Sequence, residues 1–588
     1  MTSLAAGVVY VRTACRTVYV GDSGELAAAV HTLGVAHPPG YPLYVLLGKL
    51  FSVLVPIGRP VWRLNLFSAI MAAVSVGFLQ ATLSALGWPW FVATSAALTW
   101  AFSASLWSQS GIARVYALGA ALSAAMTWCG VRWYADPSSG YQPLWIAFVL
   151  VGLGIANHPI AGAHVPALAA LIVLAKPSTL TEPLLWLSCA ACLVPGMLLY
   201  VWVPLRARHG AAVNWGNIQT ARDLWNFLRR KQYWQHRYVT NWREAWQVVA
   251  FYLRRVVDEF GFLGAAAVLV GLGVLGRGDL PILAMALVLF ALNAAAMIAH
   301  ARREDIFHWT RYMLTAWFAL ALPLAAGWGW FLSSLPANWQ AALAFVLPAG
   351  LLVARFRRHD LSRHRYAEAF NRRILECLPE GATLIAQDDN VVFPLMYLKY
   401  AEGVRPDVRL LEQGVHQLAP LKFNPRKDAV YCTHWNAAFN QSVAPGQVGL
   451  RLIPEGVIYR VISTDMNFKP RDLWNHFMLA DMEDPRIPRN YLTRCLLGHV
   501  YFMRAEWAAL HADADALGWY ERAARMGYDD ATLNYNIGLA YRRSGWQLAA
   551  AEMFHRAAVL DRKFAPRCAD TRPISPESRF GHPPLNAP

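Results

Sequence analysis

Residues 62–86, WRLNLFSAIMAAVSVGFLQATLSAL, decide the fold, because the run carries a single charged side chain, Arg63, at its very edge. About 20 apolar residues are needed to cross roughly 30 Å of hydrocarbon, and only a helix satisfies its own backbone polar groups there. Comparable runs recur near 91–108, 112–134, 144–158, 160–176, 184–204, 261–276, 280–300, 311–332 and 339–355. Residues 4–20, which include Arg12 and Arg16, read as the outer part of a first span whose beginning is missing. Residues 41–57, with Pro42 and Pro56 near the ends, suit a re-entrant or interfacial helix better than a crossing. The expectation is a polytopic α-helical membrane domain over residues 1–355 with about 11 crossings.

Composition agrees. Of 588 residues, 56% are hydrophobic and 15% charged, against about 25% charged in soluble domains. Before residue 355 the charges sit in a few short clusters; beyond it they are frequent and mixed, which marks a domain boundary. Residues 356–490 read as a small soluble α/β unit, with strands at 383–386 and 408–411 around a helix that contains Pro394 and Tyr397. Residues 491–566 are helical and resemble tetratricopeptide (TPR-like) helix pairs. Gly538, Tyr541, Ala550, Phe554 and Ala557 occupy that repeat's packing positions, Tyr520 and Ala523 precede the last two by the 34-residue period, and Gly498 and Tyr501 open the earlier copy. Residues 567–588 are expected to be a disordered tail.

The formal net charge is +16, yet no basic face on a soluble fold carries it, so a nucleic-acid partner is excluded. Much of it lies in 206–255, next to spans, where membrane lipid or a phosphate-bearing substrate is the natural counterpart. The eight cysteines are scattered, with neither a disulfide framework nor zinc spacing, and no metal-ligand set is assigned. With a cytoplasmic N-terminus, 21–60 and 205–260 become external loops, and everything after 355 lies on the same non-cytoplasmic face. The positive-inside rule points the other way, but it weakens for long loops.

Chemistry concentrates in residues 21–44, GDSGELAAAVHTLGVAHPPGYPLY. Asp22 and Glu25 stand three apart, so on a helical turn they face one way and can share a hydroxyl or a cation. Carboxylates beside a membrane cavity are costly unless they function, although plain loop solvation is the alternative.

This stretch, with RLNLFSA at 63–69, GLGIANHP at 152–159, YVWVPLRA at 200–207, VNWGN at 213–217, RRKQYW at 229–234 and FPLMYLKYAEGVRPDVRLL at 393–411, resembles the transmembrane protein O-mannosyltransferase family. Its animal member acts on the IPT domains of plexins. The resemblance implies a class C (GT-C) glycosyltransferase fold and a polyprenyl-phosphate sugar donor, most simply polyprenyl-phosphate mannose, with a protein or glycan hydroxyl as acceptor. It implies Asp22 as general base with Glu25 as second candidate, and Arg206 and Arg311 as cations for the departing phosphate, headgroup anchoring being their other reading. His37, Asn214 and Trp215 are candidate substrate contacts, with loop stabilisation or cavity shaping as alternatives, the latter also for Asn157 and His158. One residue departs from the pattern: Arg114, in GIARVYALGA, stands where the family carries Glu.

The sequence therefore points to a hexosyltransferase of a bacterial inner membrane acting outside the cytoplasm. It needs no organic cofactor, and a metal requirement is left open. The competing classes are a transporter or flippase of a lipid-linked sugar, and a scaffold that assembles partners on the helical repeats. The topology predicts that reporter fusions near residue 240 and after residue 588 give the same, non-cytoplasmic signal; opposite signals would require an odd number of crossings between them.

Overall fold

The computed structural model describes residues 1–412, 423–433, 449–477, 484, 486–511 and 513–568; the expected tail, from 569 on, lies outside them. The chain divides into two compact units, one of Met1–Thr17 and Leu26–His364, the other of Val18–Glu25 and the chain from Arg365. The first unit thus ends later than the expected 355. The reason is hydrogen bonding: Leu361 N donates to Thr13 O at 2.8 Å and Thr17 Oγ1 to His364 O at 3.0 Å. Asn65 of the RLNLFSA stretch then ties the same extended segment from the other side, donating to Cys15 O at 2.6 Å and Thr17 O at 3.3 Å.

The first unit is a multi-pass helical membrane domain. Among the described residues, six helices are long and apolar enough to cross a bilayer: Pro60–Ala85, Pro183–Arg208, Trp242–Gly278, Leu280–His300, Thr310–Ser333 and Ala337–His359. Within the fifth, every residue from 314 to 329 is buried, so this helix is the core of the bundle. Lipid tails are as apolar as leucine, so helices in a membrane associate through close van der Waals contact at small residues. Gly271 and Gly327 supply it: a Cβ on Gly271 would lie 1.7 Å from Pro323 O, and one on Gly327 1.9 Å from Ala267 O. Gly152 and Gly196 bring Gln142–Asn157 and Pro183–Leu198 together in the same way.

Two expectations are corrected. The run 91–108 is not one helix but two, Trp90–Ala101 and Ala104–Ser110. The break is stabilised from elsewhere in the chain. Glu259, fully buried, accepts from Ser105 N at 2.9 Å and Ser105 Oγ at 2.6 Å, while Arg355 Nη1 donates to Phe102 O at 2.7 Å. An anion at a helix N-terminus and a cation at a C-terminus satisfy both the orphan backbone groups and the helix dipoles. The second correction concerns the 205–260 loop, because helix begins well inside it, at Trp242, and runs to Gly278 with a non-helical break at Gly261. Asn241 caps that helix by accepting from Glu244 N at 3.0 Å. The break at Gly261, where φ is 72°, falls at the residue where the span is expected to begin.

The second unit contains a five-stranded sheet, β1 (Thr383–Ala386), β2 (Arg409–Glu412), β3 (Val430–Cys432), β4 (Leu450–Glu455) and β5 (Ile458–Ser463), in the order β2-β1-β3-β5-β4. β1 runs parallel to β2 and β3, and β5 antiparallel to β3 and β4. The β1-to-β2 crossover is the helix Asp389–Tyr400, as the sequence predicts. Two helix pairs follow, Tyr491–Leu510 with Ala516–Met526 and Ala531–Arg543 with Gln547–Leu560. Gly538 faces Phe554, whose ring would come within 2.7 Å of an added Cβ.

Gly271→Leu is expected to cost at least ~3 kcal/mol, the upper end of overpacking penalties, since backbone rather than a movable side chain blocks the space. A lower thermal midpoint in detergent, relative to Gly273→Leu, where nothing lies within 4 Å, is the result that checks it.

Candidate functional site

The site in the membrane unit is built on the loop after the helix Ser23–Thr32. That loop is pinned to the 205–260 segment by two backbone hydrogen bonds, Val35 N to Val213 O at 2.8 Å and Trp215 N to Val35 O at 3.0 Å. Gly34 makes the approach possible, because a Cβ there would lie 2.5 Å from Val213 O. A tight turn follows, with Gly40 N donating to His37 O at 2.7 Å. Gly40 and then Tyr41 adopt left-handed φ values of 88° and 47°. Tyr41 is not glycine, so this conformation is costly and is kept only because its surroundings dictate it.

The side chains of this turn meet an aromatic and cationic wall. Tyr41 Oη and His37 Nε2 share a hydrogen bond at 2.8 Å, and His37 lies edge-on to Trp215 at 5.8 Å between centroids. Tyr41 stacks on His158 at 6.2 Å and 13°. His158 in turn borders Tyr116 at 5.9 Å and Tyr312 at 6.3 Å. Tyr116 and Tyr312 form a T-shaped pair at 5.6 Å. Arg311, buried to 4% exposure, stands over Trp309 at 4.1 Å, Tyr312 at 5.1 Å and Tyr116 at 5.6 Å. A cleft of about 500 Å³, its open mouth included, is lined by Tyr116, Gly119, Asn157, His158, Arg311 and Tyr312 among others.

Backbone breaks shape this cleft. His158 ends the helix Gln142–Asn157, and its Nδ1 accepts from Ile160 N at 3.4 Å, which leaves Nε2 as the N–H of the neutral ring. Asn157 Nδ2 donates to Val115 O at 3.1 Å. Asn293 Nδ2 donates to Tyr312 O at 2.9 Å while its Oδ1 accepts from Tyr252 Oη at 2.7 Å, fixing the turn that carries Arg311. Arg230, of the RRKQYW stretch, is a second cation here. Burial opposes its charge, but the phenols of Tyr41, Tyr312 and Tyr233 and the carboxylate of Asp305 outweigh that and hold its pKa above the ordinary value. It too is left-handed, with φ 54°.

Of the residues expected from the sequence, the structure brings His37, Trp215 and Arg311 onto one continuous wall. Arg206 and Asn214 are engaged with backbone instead. Arg206 Nε donates to Leu33 O at 2.6 Å and Nη2 to Thr32 O at 3.3 Å, capping the C-terminal end of Ser23–Thr32. Asn214 Nδ2 donates to Ala207 O at 3.2 Å and Asn217 Oδ1 at 3.1 Å. Asp22 and Glu25 belong to the other unit; Glu25 is fully buried and Asp22 half-buried. Arg114 is buried at the start of Val115–Ala135. Tyr41, Tyr116, Tyr312 and Arg230 were not singled out from the sequence, although Tyr41 and Arg230 lie within quoted motifs and Tyr312 adjoins Arg311.

Residues 22–181 match the family model described as the N-terminal domain of protein O-mannosyl-transferase TMEM260. The mouse protein O-mannosyl-transferase TMEM260 is 27% identical over 439 residues, covering 70% of this chain and 61% of the mouse protein. The Dictyostelium discoideum protein of that name is 24% identical over 292 residues, covering 46% of this chain and 35% of its own length. The chain thus spans less than two thirds of the length of these relatives. These matches bear out the family resemblance carried by the sequence motifs. Among solved structures, ArnT from Cupriavidus metallidurans bound to undecaprenyl phosphate aligns with a TM-score of 0.47 at 14% identity, over 79% of this chain and 97% of that one. The Archaeoglobus fulgidus oligosaccharyltransferase aligns with 0.40 at 12%, over 72% and 65%.

Arg206→Leu is expected to lower the thermal midpoint in detergent, because hydrogen bonds from charged donors contribute about 1.5–3 kcal/mol each. An unchanged midpoint would remove the capping role and return Arg206 to the set of substrate cations.

Proposed function

We propose, starting from the match of its N-terminal part to the O-mannosyltransferase family, that the protein is a class C glycosyltransferase that moves a hexose, mannose, from a polyprenyl-phosphate carrier to a protein or glycan hydroxyl. The reaction takes place on the non-cytoplasmic face of a bacterial inner membrane. The observation that carries the reading is the cleft lined by Arg311 with Tyr116, His158 and Tyr312, beside which a second guanidinium, Arg230, interacts with Tyr312 and Tyr41. Ring faces suit the C–H face of a sugar, and fixed cations suit a phosphate that gains charge as it leaves.

In the proposed step the Asp22 carboxylate accepts the proton of the acceptor hydroxyl, the oxygen forms its bond to the anomeric carbon, and the carbon–phosphate oxygen bond breaks with its electron pair going to the polyprenyl phosphate. Arg311 and Arg230 offset the charge that appears there. Asp22 is preferred to Glu25 as the base because it is the more accessible of the two. A group that must reach a substrate proton needs such access.

The test is incubation of purified protein with labelled polyprenyl-phosphate mannose and a periplasmic extract, followed by detection of label on protein. Asp22→Asn is expected to lower transfer by about 10²- to 10⁴-fold, the usual cost of losing a general base. Near-normal turnover would move the role to Glu25. Arg311→Gln is expected to lower transfer by about 10²- to 10³-fold, the scale of a lost charge-stabilising donor.

A further inference from the structure

The acidic turn has an unusual seat. Residues 18–25 fold with the C-terminal unit and not with the spans on either side of them in sequence. Gly24, between Asp22 and Glu25, touches the backbone of helix Asp389–Tyr400: a Cβ there would lie 2.3 Å from Phe393 O, 2.4 Å from Phe393 C and 2.7 Å from Pro394 N. Real Cβ atoms do not come that close to fixed backbone, so no residue but glycine fits without moving the helix start or the helix Asp389–Tyr400 itself.

The seat is rigid. Pro394 has no N–H, so the Asn390 carbonyl one turn earlier loses its usual partner. Asn371 Nδ2 replaces it at 3.1 Å and bonds its own helix at Ala367 O at 2.8 Å. Arg372 joins Glu368 at 3.0 Å to Glu402 at 2.6 Å, and Tyr397 Oη donates to the same Glu402 at 2.6 Å. The helix is thereby braced by its neighbour Tyr366–Glu376. Gly21, with φ 67°, turns the chain just before Asp22.

We propose that the C-terminal unit is a positioning device for the acidic turn: the backbone of Phe393 and Pro394, against Gly24, fixes where the carboxylates of Asp22 and Glu25 point. This rests on the reading of Asp22 as general base. Gly24, Phe393 and Pro394 are positioning residues that touch no substrate. The consequence is that the C-terminal unit serves chemistry on the donor itself and not only the choice of acceptor, and it accounts for why two distant motifs, GDSGEL and FPLMYLKY, occur together in one chain.

The experiment uses full-length protein and release of mannose from polyprenyl-phosphate mannose, with water as acceptor. Gly24→Ala is expected to lower kcat by about 100-fold, the effect of a base misplaced by about 1 Å, with the donor KM unchanged, when assayed well below the lowered thermal midpoint that the backbone clash also brings. Gly381→Ala, a left-handed glycine of the same unit with nothing within 4 Å of its Cβ position, is expected to lower the midpoint and leave kcat alone. Wild-type kcat in Gly24→Ala alongside an inactive Asp22→Asn overturns the positioning role, as does an equal fall in kcat in Gly381→Ala. An active Asp22→Asn overturns the underlying reading of the base instead.

Discussion

A backbone carbonyl or amide in hydrocarbon has no water to bond, and this constraint explains more of the membrane unit than any other. Long helices satisfy it internally. At several helix ends a side chain from a distant part of the chain supplies the missing partner. Glu259 and Arg355 do so on the two sides of the break at Phe102 and Ser103. Arg206 does so at Thr32 and Leu33, Asn65 at Cys15 and Thr17, and Asn293 at Tyr312. Each of these polar residues is fixed by backbone it must satisfy, so each is a poor place for substitution even where it touches no ligand.

The same breaks make the cleft. Three irregular segments come together: the turn at 33–41, the chain from His158 to His164, and the turn at Thr310–Met313. A helix presents its side chains at regular intervals around a cylinder, whereas a turn gathers several at one point. Tyr41, His158, Arg311 and Tyr312 come together because all four are turn residues or cap residues, held by partners outside the cleft. These side chains are thereby held in place by the fold itself.

How much of this was legible follows from the range of the interactions. Six of the expected spans, those near 62–86, 184–204, 261–276, 280–300, 311–332 and 339–355, were readable as apolar length among the described residues, since that property is local. The split of 91–108 was not, because Ala104–Ser110 depends on a carboxylate 154 residues away, and nothing in the apolar pattern announces it. Arg206 and Arg311 look alike in sequence, each basic and each at a span end. The difference is that Arg206 meets two bare carbonyls and Arg311 meets three rings. His37 and Trp215 were legible through their motifs. Tyr41 and Arg230 were hidden in plain view, and the signal for both is backbone conformation, which a sequence of non-glycine residues does not reveal.

Conformational cost points in the same direction. Left-handed φ at a non-glycine residue costs about 1–3 kcal/mol and persists only where the surroundings over-determine it. Six non-glycine residues are left-handed among those described, and two of them, Tyr41 and Arg230, interact electrostatically with each other beside the cleft. A third, Leu33, carries the carbonyl that Arg206 caps. The fold spends stability to aim a phenol and a guanidinium at His158, whose ring stacks on the first and whose environment includes the charge of the second. Relaxing either residue into a right-handed turn would relieve that cost and would also swing its side chain away from the wall. The two strained residues therefore mark segments whose geometry is kept at a cost in stability.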